Sequence, residues 1–163
     1  MILKLINKHT LEIDDFQFRC CIGKKGLTKN KKEGDKCTPI GKFKLNRIFY
    51  RADRIQKFTS KIEKKIIKKD MGWCDDPNHK LYNQMIKISK NINHEKLFRK
   101  DNNYDIIIEL DYNRKKIIAN KGSAIFLHIT KNYKSTAGCV AINKNDMQIL
   151  IKILQKKNYI KIF

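Results

Sequence analysis

A histidine and a cysteine eleven residues apart carry the strongest chemical signal in this sequence of 163 residues. His128 lies in the apolar run Ser123-Ala-Ile-Phe-Leu-His-Ile, and Cys139 follows Gly138 and precedes Val-Ala-Ile. If the loop over 130–137 folds back, an imidazole comes to lie beside a thiol. A thiol with an ordinary pKa of about 8.5 is only a few per cent thiolate near neutrality, so a nucleophilic cysteine needs a neighbouring imidazole or another cation. Cys139 would then be the nucleophile and His128 its base. Gly138 would let substrate approach closely, and the backbone N–H groups at Cys139 and its neighbours would receive an oxyanion. The spacing alone also fits a blander arrangement. Free cysteines are among the most buried residues, and a lone histidine on an apolar strand is usually a satisfied core group.

Other chemistries fit less well. A phosphatase-type cysteine needs an arginine six positions later, and that position holds Asn145. The five cysteines, Cys20, Cys21, Cys37, Cys74 and Cys139, are odd in number and contain no C-x-x-C. Neither a disulfide framework nor a zinc ribbon is suggested, so free thiols, no metal and no cofactor are expected.

The elements that must position these residues read as mostly β. Leu3 to Ile6 and then Leu11 to Ile22 alternate in period two and predict a hairpin or meander. Residues 23–34 are polar and basic, a loop, and Thr38 to Tyr50 starts another strand with Pro39 at its first residue or on an edge. Lys57 to Lys69 fits a short helix face or a strand. The Asp-Pro and Pro-Asn punctuation makes Gly72 to Asn83 a loop, and His94, Glu95 and Arg99 read as the start of a surface helix with a structural role. Tyr104 to Asn113 and Ser123 to Ile129 are apolar runs short enough for buried central strands, with a turn and a short strand at Lys116 to Ala119 between them. Asn143 or Asn145 caps a helix through Lys156, with Met147, Leu150, Ile151 and Leu154 on one face, and Tyr159 to Phe163 is a last strand. The expected fold class is mainly β with helices (α+β), a single domain over 1–163.

Size permits a real core without staples, since a domain of about 150 residues buries roughly 70% of its unfolded surface. Lys+Arg is 37 against Asp+Glu 16, a net charge of +21. That field favours anionic surroundings such as nucleic acid, acidic membranes or an acidic polymer. The cations are 31 Lys and 6 Arg, whereas base reading and bidentate phosphate recognition lean on guanidinium. A basic nucleic-acid-binding module with an incidental Cys and His is therefore the lesser reading, and no nucleic acid partner is expected. No stretch is long enough to span a membrane.

Motifs in a fixed order add a resemblance. Gly34-Asp-Lys-Cys-Thr38-Pro39-Ile-Gly41-Lys-Phe, Phe126-Leu-His128 and Thr136-Ala-Gly138-Cys139-Val are similar to the T-P-x-G-x-F and H…[S/T]-x-G-C signatures of the L,D-transpeptidase catalytic domain (YkuD-like) family. Tyr50-Arg-Ala-Asp, Gly72-Trp-Cys-Asp-Asp-Pro, Leu81-Tyr-Asn, His94-Glu-Lys-Leu-Phe-Arg and Gly122-Ser-Ala-Ile-Phe-Leu-His resemble a short bacterial branch of it, across roughly residues 19–163. The resemblance implies mixed sheets in a sandwich or barrel-like arrangement with a C-terminal helix and strand. It also implies a cysteine acyltransferase acting through a Cys139 thioester on peptidoglycan stem peptides, donor and acceptor. The hydrolytic alternative is an L,D-carboxypeptidase or amidase on muropeptides. Typical members place Gly or Ser after the histidine, His before the Gly-Cys pair and Arg two residues after the cysteine, where this chain has Ile129, Ala137 and Ala141. The backbone carbonyl of Ile129 is expected to hold the His128 tautomer, because Nδ1–H needs only one acceptor to present Nε2 to the thiol.

Trp73, Asp75, Asp76 and Asn83 are expected to wall the cleft and bind the amine or carboxylate of a stem, with an Asx-rich turn bonding its own backbone as the alternative. Tyr104, Asp105 and Asn113 would frame the site, with core packing as the alternative for Tyr104, and Thr136 would hydrogen-bond within the catalytic loop. Oligomeric state has no signal. The expected substrate lies outside the inner membrane, which points to periplasm or cell envelope. Yet Met1-Ile-Leu-Lys-Leu-Ile-Asn-Lys-His has no apolar run of about 7 residues for a secretory segment. A misassigned start, unconventional export, or a cytoplasmic precursor or recycled fragment as substrate all stay open.

Overall fold

Alternation at the N-terminus becomes a three-stranded antiparallel meander of β1 (Ile2–Asn7), β2 (Thr10–Ile13) and β3 (Phe16–Cys21) in a computed structural model that describes all 163 residues. Leu3, Leu5, Leu11, Ile13, Phe18 and Cys20 point inward, two residues apart along each strand. β4 (Leu27–Thr28) pairs in parallel with β5 (Thr38–Pro39), so the basic loop over 29–37 is closed at its base. The long β6 (Gly41–Tyr50) follows, and β7 (Lys64–Ile66) runs parallel to it, so the only regular structure within Lys57 to Lys69 is this three-residue strand, with no helix.

β8 (Met71–Cys74), β9 (Met85–Lys87) and β10 (His94–Lys96) form a separate three-stranded antiparallel sheet with β8 in the middle. Then come β11 (Ile106–Leu110), β12 (Phe126–Ile129), β13 (Val140–Ile142), α1 (Lys144–Ile153) and β14 (Tyr159–Ile162). The large sheet runs β11-β12-β13-β3-β2-β1-β14-β6, and β6 pairs back to β11, which closes eight strands into a barrel. Closure removes the exposed edges that an open sheet of this length would carry. The fold is α+β, mostly strands with one C-terminal helix and a final strand. No helix is long and apolar enough to cross a membrane.

β11 and β12 are buried on both faces, which is why they read as nearly continuous apolar runs, and Ile48 and Phe49 of the paired β6 are buried beside them. Their inner faces carry Ile48, Ile106, Ile108, Leu127 and Ile129 into the main core, joined there by Met147, Leu150 and Ile151 of α1. Their outer faces carry Phe49, Ile107 and Phe126 into a second core with Trp73, Leu97 and Tyr104. The Trp73 and Phe126 rings meet edge to face with centroids 5.1 Å apart, worth about 0.5–1.5 kcal/mol beyond their burial. His128, two residues after Phe126, shares this outer face.

Three expectations change. Gly72 to Asn83 is not all loop, because Met71–Cys74 is a fully buried central strand and only the residues after it turn. Lys116 to Ala119 is not a strand; the chain turns there, with left-handed Asn113 (φ 52) and Asn120 (φ 61), and Ile118 stays exposed. The helix ends at Ile153 rather than Lys156, since Leu154 is already extended at ψ 138. Its start is capped by Asn143, whose side chain accepts from the Asp146 N–H at 2.9 Å.

Candidate active site

β12 and β13 run in parallel, with Leu127 opposite Val140 and His128 opposite Ala141. This register carries Cys139 in just ahead of β13, beside Phe126. The Phe126 N–H donates to Cys139 Sγ at 3.4 Å, and the thiol donates to the Ala124 carbonyl at 3.2 Å. Ala124 holds a left-handed backbone (φ 51), a conformation that costs about 1–3 kcal/mol and persists only where its surroundings over-determine it. Asn83 supplies that constraint. Its Oδ1 accepts from the Ala124 N–H at 3.1 Å and from Trp73 Nε1 at 2.9 Å, while its Nδ2 donates to the Tyr112 and Asn113 carbonyls.

On the other side, Thr136 organises the turn before the cysteine. Its hydroxyl donates to the Cys139 carbonyl at 2.7 Å and accepts from the Gly138 N–H at 3.0 Å. The Thr38 hydroxyl reaches the same carbonyl at 3.5 Å. Gly138 has φ +146, and a Cβ there would lie 2.8 Å from the Cys37 carbonyl oxygen, so no other residue fits unstrained. The Cys139 N–H has no hydrogen-bond partner within the chain.

Cys139 and His128 both line a cavity of about 650 Å³. His128 Nδ1 lies 2.8 Å from the Ile129 carbonyl oxygen, so it is the donor and Nε2 is the free acceptor. The Tyr104 ring packs edge-on against the imidazole, with centroids 5.2 Å apart, and its hydroxyl donates to Glu95. No hydrogen bond joins His128 to Cys139 in this resting arrangement. Burial pushes the His128 pKa down to about 4. Burial, and then the nearby Glu95 charge, push the Cys139 thiol up to about 12. Across the neutral range the two are therefore thiol and neutral imidazole, not a preformed ion pair.

The cavity wall carries charges of both signs. Glu33, Asp75 and Glu95 contribute carboxylates, and Lys31, Lys36, Arg99, Lys131 and Lys134 contribute cations. Burial raises both Glu95 and Asp75 above the usual carboxylate range, and the neighbouring Glu33 charge raises them further. Arg99 is the one arginine on the wall, with its Cζ 4.7 Å over the Tyr104 ring. Ala141 on β13 is wholly buried and brings no charge. No group of three or more His, Cys, Asp or Glu side chains converges in a way that could hold a metal ion.

Of the residues singled out in the sequence, Asp75, Tyr104, His128, Thr136, Gly138 and Cys139 line this cavity. Ile129 contributes through its backbone carbonyl. Trp73, Asp76, Asn83, Asp105 and Asn113 lie outside it. Trp73 and Asn83 are buried behind the site and hold the strand entry at Ala124. Asn113 bonds the Ile118 and Gly122 carbonyls, and Asp76 caps its own turn by accepting from the Asn78 N–H. Lys31, Glu33, Glu95 and Arg99 are cavity residues that the sequence did not mark as such. Glu95 sits on β10, whose three residues are too few to show a period, and not on a surface helix.

A family model described as YkuD, L,D-transpeptidase catalytic domain, matches residues 6–162. No curated protein matches the chain.

Proposed function

The chain belongs to the L,D-transpeptidase catalytic domain family, and from that premise we propose that Cys139 is the nucleophile of a two-step acyl transfer on peptidoglycan stem peptides. In the first step Sγ attacks a stem carbonyl while His128 Nε2 takes the thiol proton, and the Cys139 N–H receives the oxyanion. Collapse breaks the C–N bond, and the imidazolium returns the proton to the leaving amine. A thioester remains on Cys139. In the second step a side-chain amine of another stem attacks the thioester, losing its proton to His128. The new C–N bond forms, the C–S bond breaks, and the proton goes back to sulfur. Water in place of the amine gives hydrolysis.

One observation carries this reading: a thiol and a neutral imidazole with a free Nε2 share one cavity with an unpaired backbone N–H at the cysteine. Because the resting pair is uncharged, proton transfer accompanies the attack and does not precede it. The cations of the wall suit the carboxylates of a stem, and its carboxylates suit the amine. The test incubates purified protein with tetrapeptide muropeptides, with Cys139→Ala in parallel, and resolves the products by mass spectrometry. Cross-linked dimers that need Cys139 support transpeptidation, and shortened monomers without dimers would shift the activity to hydrolase. No product in either form would overturn the proposal.

A further inference from the structure

Of the 31 lysines, only Lys31 is buried, keeping 4% of its surface. It lies in the loop between β4 and β5, and its methylenes occupy the space beside two glycines. A Cβ at Gly122 would meet its Cγ at 2.9 Å, and one at Gly138 would meet its Cε at 3.6 Å. The ammonium end of Lys31 therefore sits against the residue that precedes the nucleophile, on the wall of the same cavity. Nζ donates to Asp35 Oδ1 at 2.5 Å and to the Lys32 carbonyl at 2.8 Å. These take two of its three protons and leave one. Asp35 is itself fixed by the Lys32 and Cys37 N–H groups, each at 2.8 Å. An ammonium withdrawn from water is costly unless paired, and a paired one in a low-dielectric wall acts strongly on its neighbours.

We infer that Lys31 is a positioning residue whose ammonium favours negative charge on Cys139 as the thiolate and the oxyanion form. The groups facing the thiol are Glu95 from β10, Tyr104 ahead of β11, His128 on β12 and Lys31 from the loop. Burial and Glu95 oppose ionisation, while the Phe126 N–H, Lys31 and Tyr104 favour it. Lys31 is thus a fixed positive charge on the cavity wall whose effect on the thiol opposes that of Glu95. A purely structural role is the competing account, in which the Lys31–Asp35 pair simply braces the loop against Gly122 and Gly138.

The inference rests on Cys139 being the nucleophile, so the test reads the thiol directly and needs no turnover of a muropeptide. The rate of Cys139 alkylation by the uncharged reagent iodoacetamide is measured against pH by peptide mapping, with a free cysteine-containing peptide added as reference thiol. Lys31→Met, Lys31→Arg and Asp35→Asn are compared with wild type, each checked for a cooperative thermal transition. Losing the cation raises the thiol pKa by about one unit, which slows alkylation about tenfold near pH 8. Lys31→Arg keeps the charge and restores the rate to within about threefold. Asp35→Asn removes the opposing carboxylate and leaves the rate unchanged or higher. A brace alone predicts that Lys31→Met and Asp35→Asn shift the profile the same way, and that result, or an unchanged profile in Lys31→Met, overturns the inference. Should Lys31→Met fail to fold, Asp35→Asn decides: a slower Cys139 overturns it, and an equal or faster one supports it.

Discussion

Burial of His128 as a neutral imidazole makes a quantitative prediction about acid stability. The perturbation is acid titration of wild type beside His128→Gln, which keeps a donor for the Ile129 carbonyl but cannot titrate. Only 7% of the His128 surface is exposed, and burial lowers its pKa from 6.5 to about 4. Above pH 6.5 neither folded nor unfolded chain holds the proton, and the full stability is present. As pH falls towards about 4, the unfolded chain takes up a proton that the folded one resists, so stability is lost. Below about 4 both states bind it and the loss levels off. At about 1.4 kcal/mol per pH unit, the interval of about 2.5 units corresponds to about 3 kcal/mol. Urea unfolding at a series of pH values gives the stability of each protein. The difference, wild type minus variant, should fall by about 3 kcal/mol between about pH 7 and about pH 4. Other groups titrate equally in both proteins and cancel. Parallel curves over that range would refute the burial argument, and with it the neutral resting pair.

Other consequences test the scaffold behind the site. Asn83→Ala removes the acceptor shared by Trp73 and the left-handed Ala124, and should lower stability by about 2–4 kcal/mol in thermal or urea unfolding; a loss under about 1 kcal/mol would mean the network is slack. Gly138→Ala puts a Cβ against the Cys37 carbonyl at a backbone φ of +146, so it should cost about 2 kcal/mol or more and abolish product formation, while wild-type-like turnover would contradict the close approach. Thr136→Val loses both hydrogen bonds of the turn before Cys139 and should cut turnover about tenfold or more with little change in melting temperature; Thr136→Ser should restore it.

Where the sequence was legible, a local rule agreed with the final environment. The meander of β1 to β3 followed from period-two alternation with one face in the core, and α1 from an Asn cap followed by Met147, Leu150 and Ile151. The run into His128 read as a central strand because both of its faces are covered. Legibility failed where tertiary packing overrode local signals. Gly72-Trp-Cys-Asp-Asp-Pro carries loop punctuation, yet its first residues pair on both sides with β9 and β10 and are buried. Ile117 and Ile118 looked like a strand, but no neighbour pairs with them and the chain turns at Asn113 and Asn120 instead. At the site, the Cys and His stood out by type and spacing. Lys31 could not, because in the sequence it is one lysine among 31, and only burial against Gly122 and Gly138 distinguishes it. Trp73 and Asn83 showed the reverse: they are chemically suggestive side chains whose polar atoms are spent on each other, on Ala124 and on the Tyr112 and Asn113 carbonyls.

Trapping the covalent intermediate tests the central claim most directly. Wild-type protein is mixed with a tetrapeptide stem without an added acceptor, quenched in acid within the turnover time, and read by intact-protein mass and peptide mapping. The account predicts one adduct of acyl mass on the peptide containing Cys139, released by hydroxylamine as a thioester is, and none with Cys139→Ala. His128→Gln should form it more slowly by about a hundredfold or more, the usual range for losing a positioned base. Product formation with no adduct on Cys139, or turnover that survives Cys139→Ala, would contradict it.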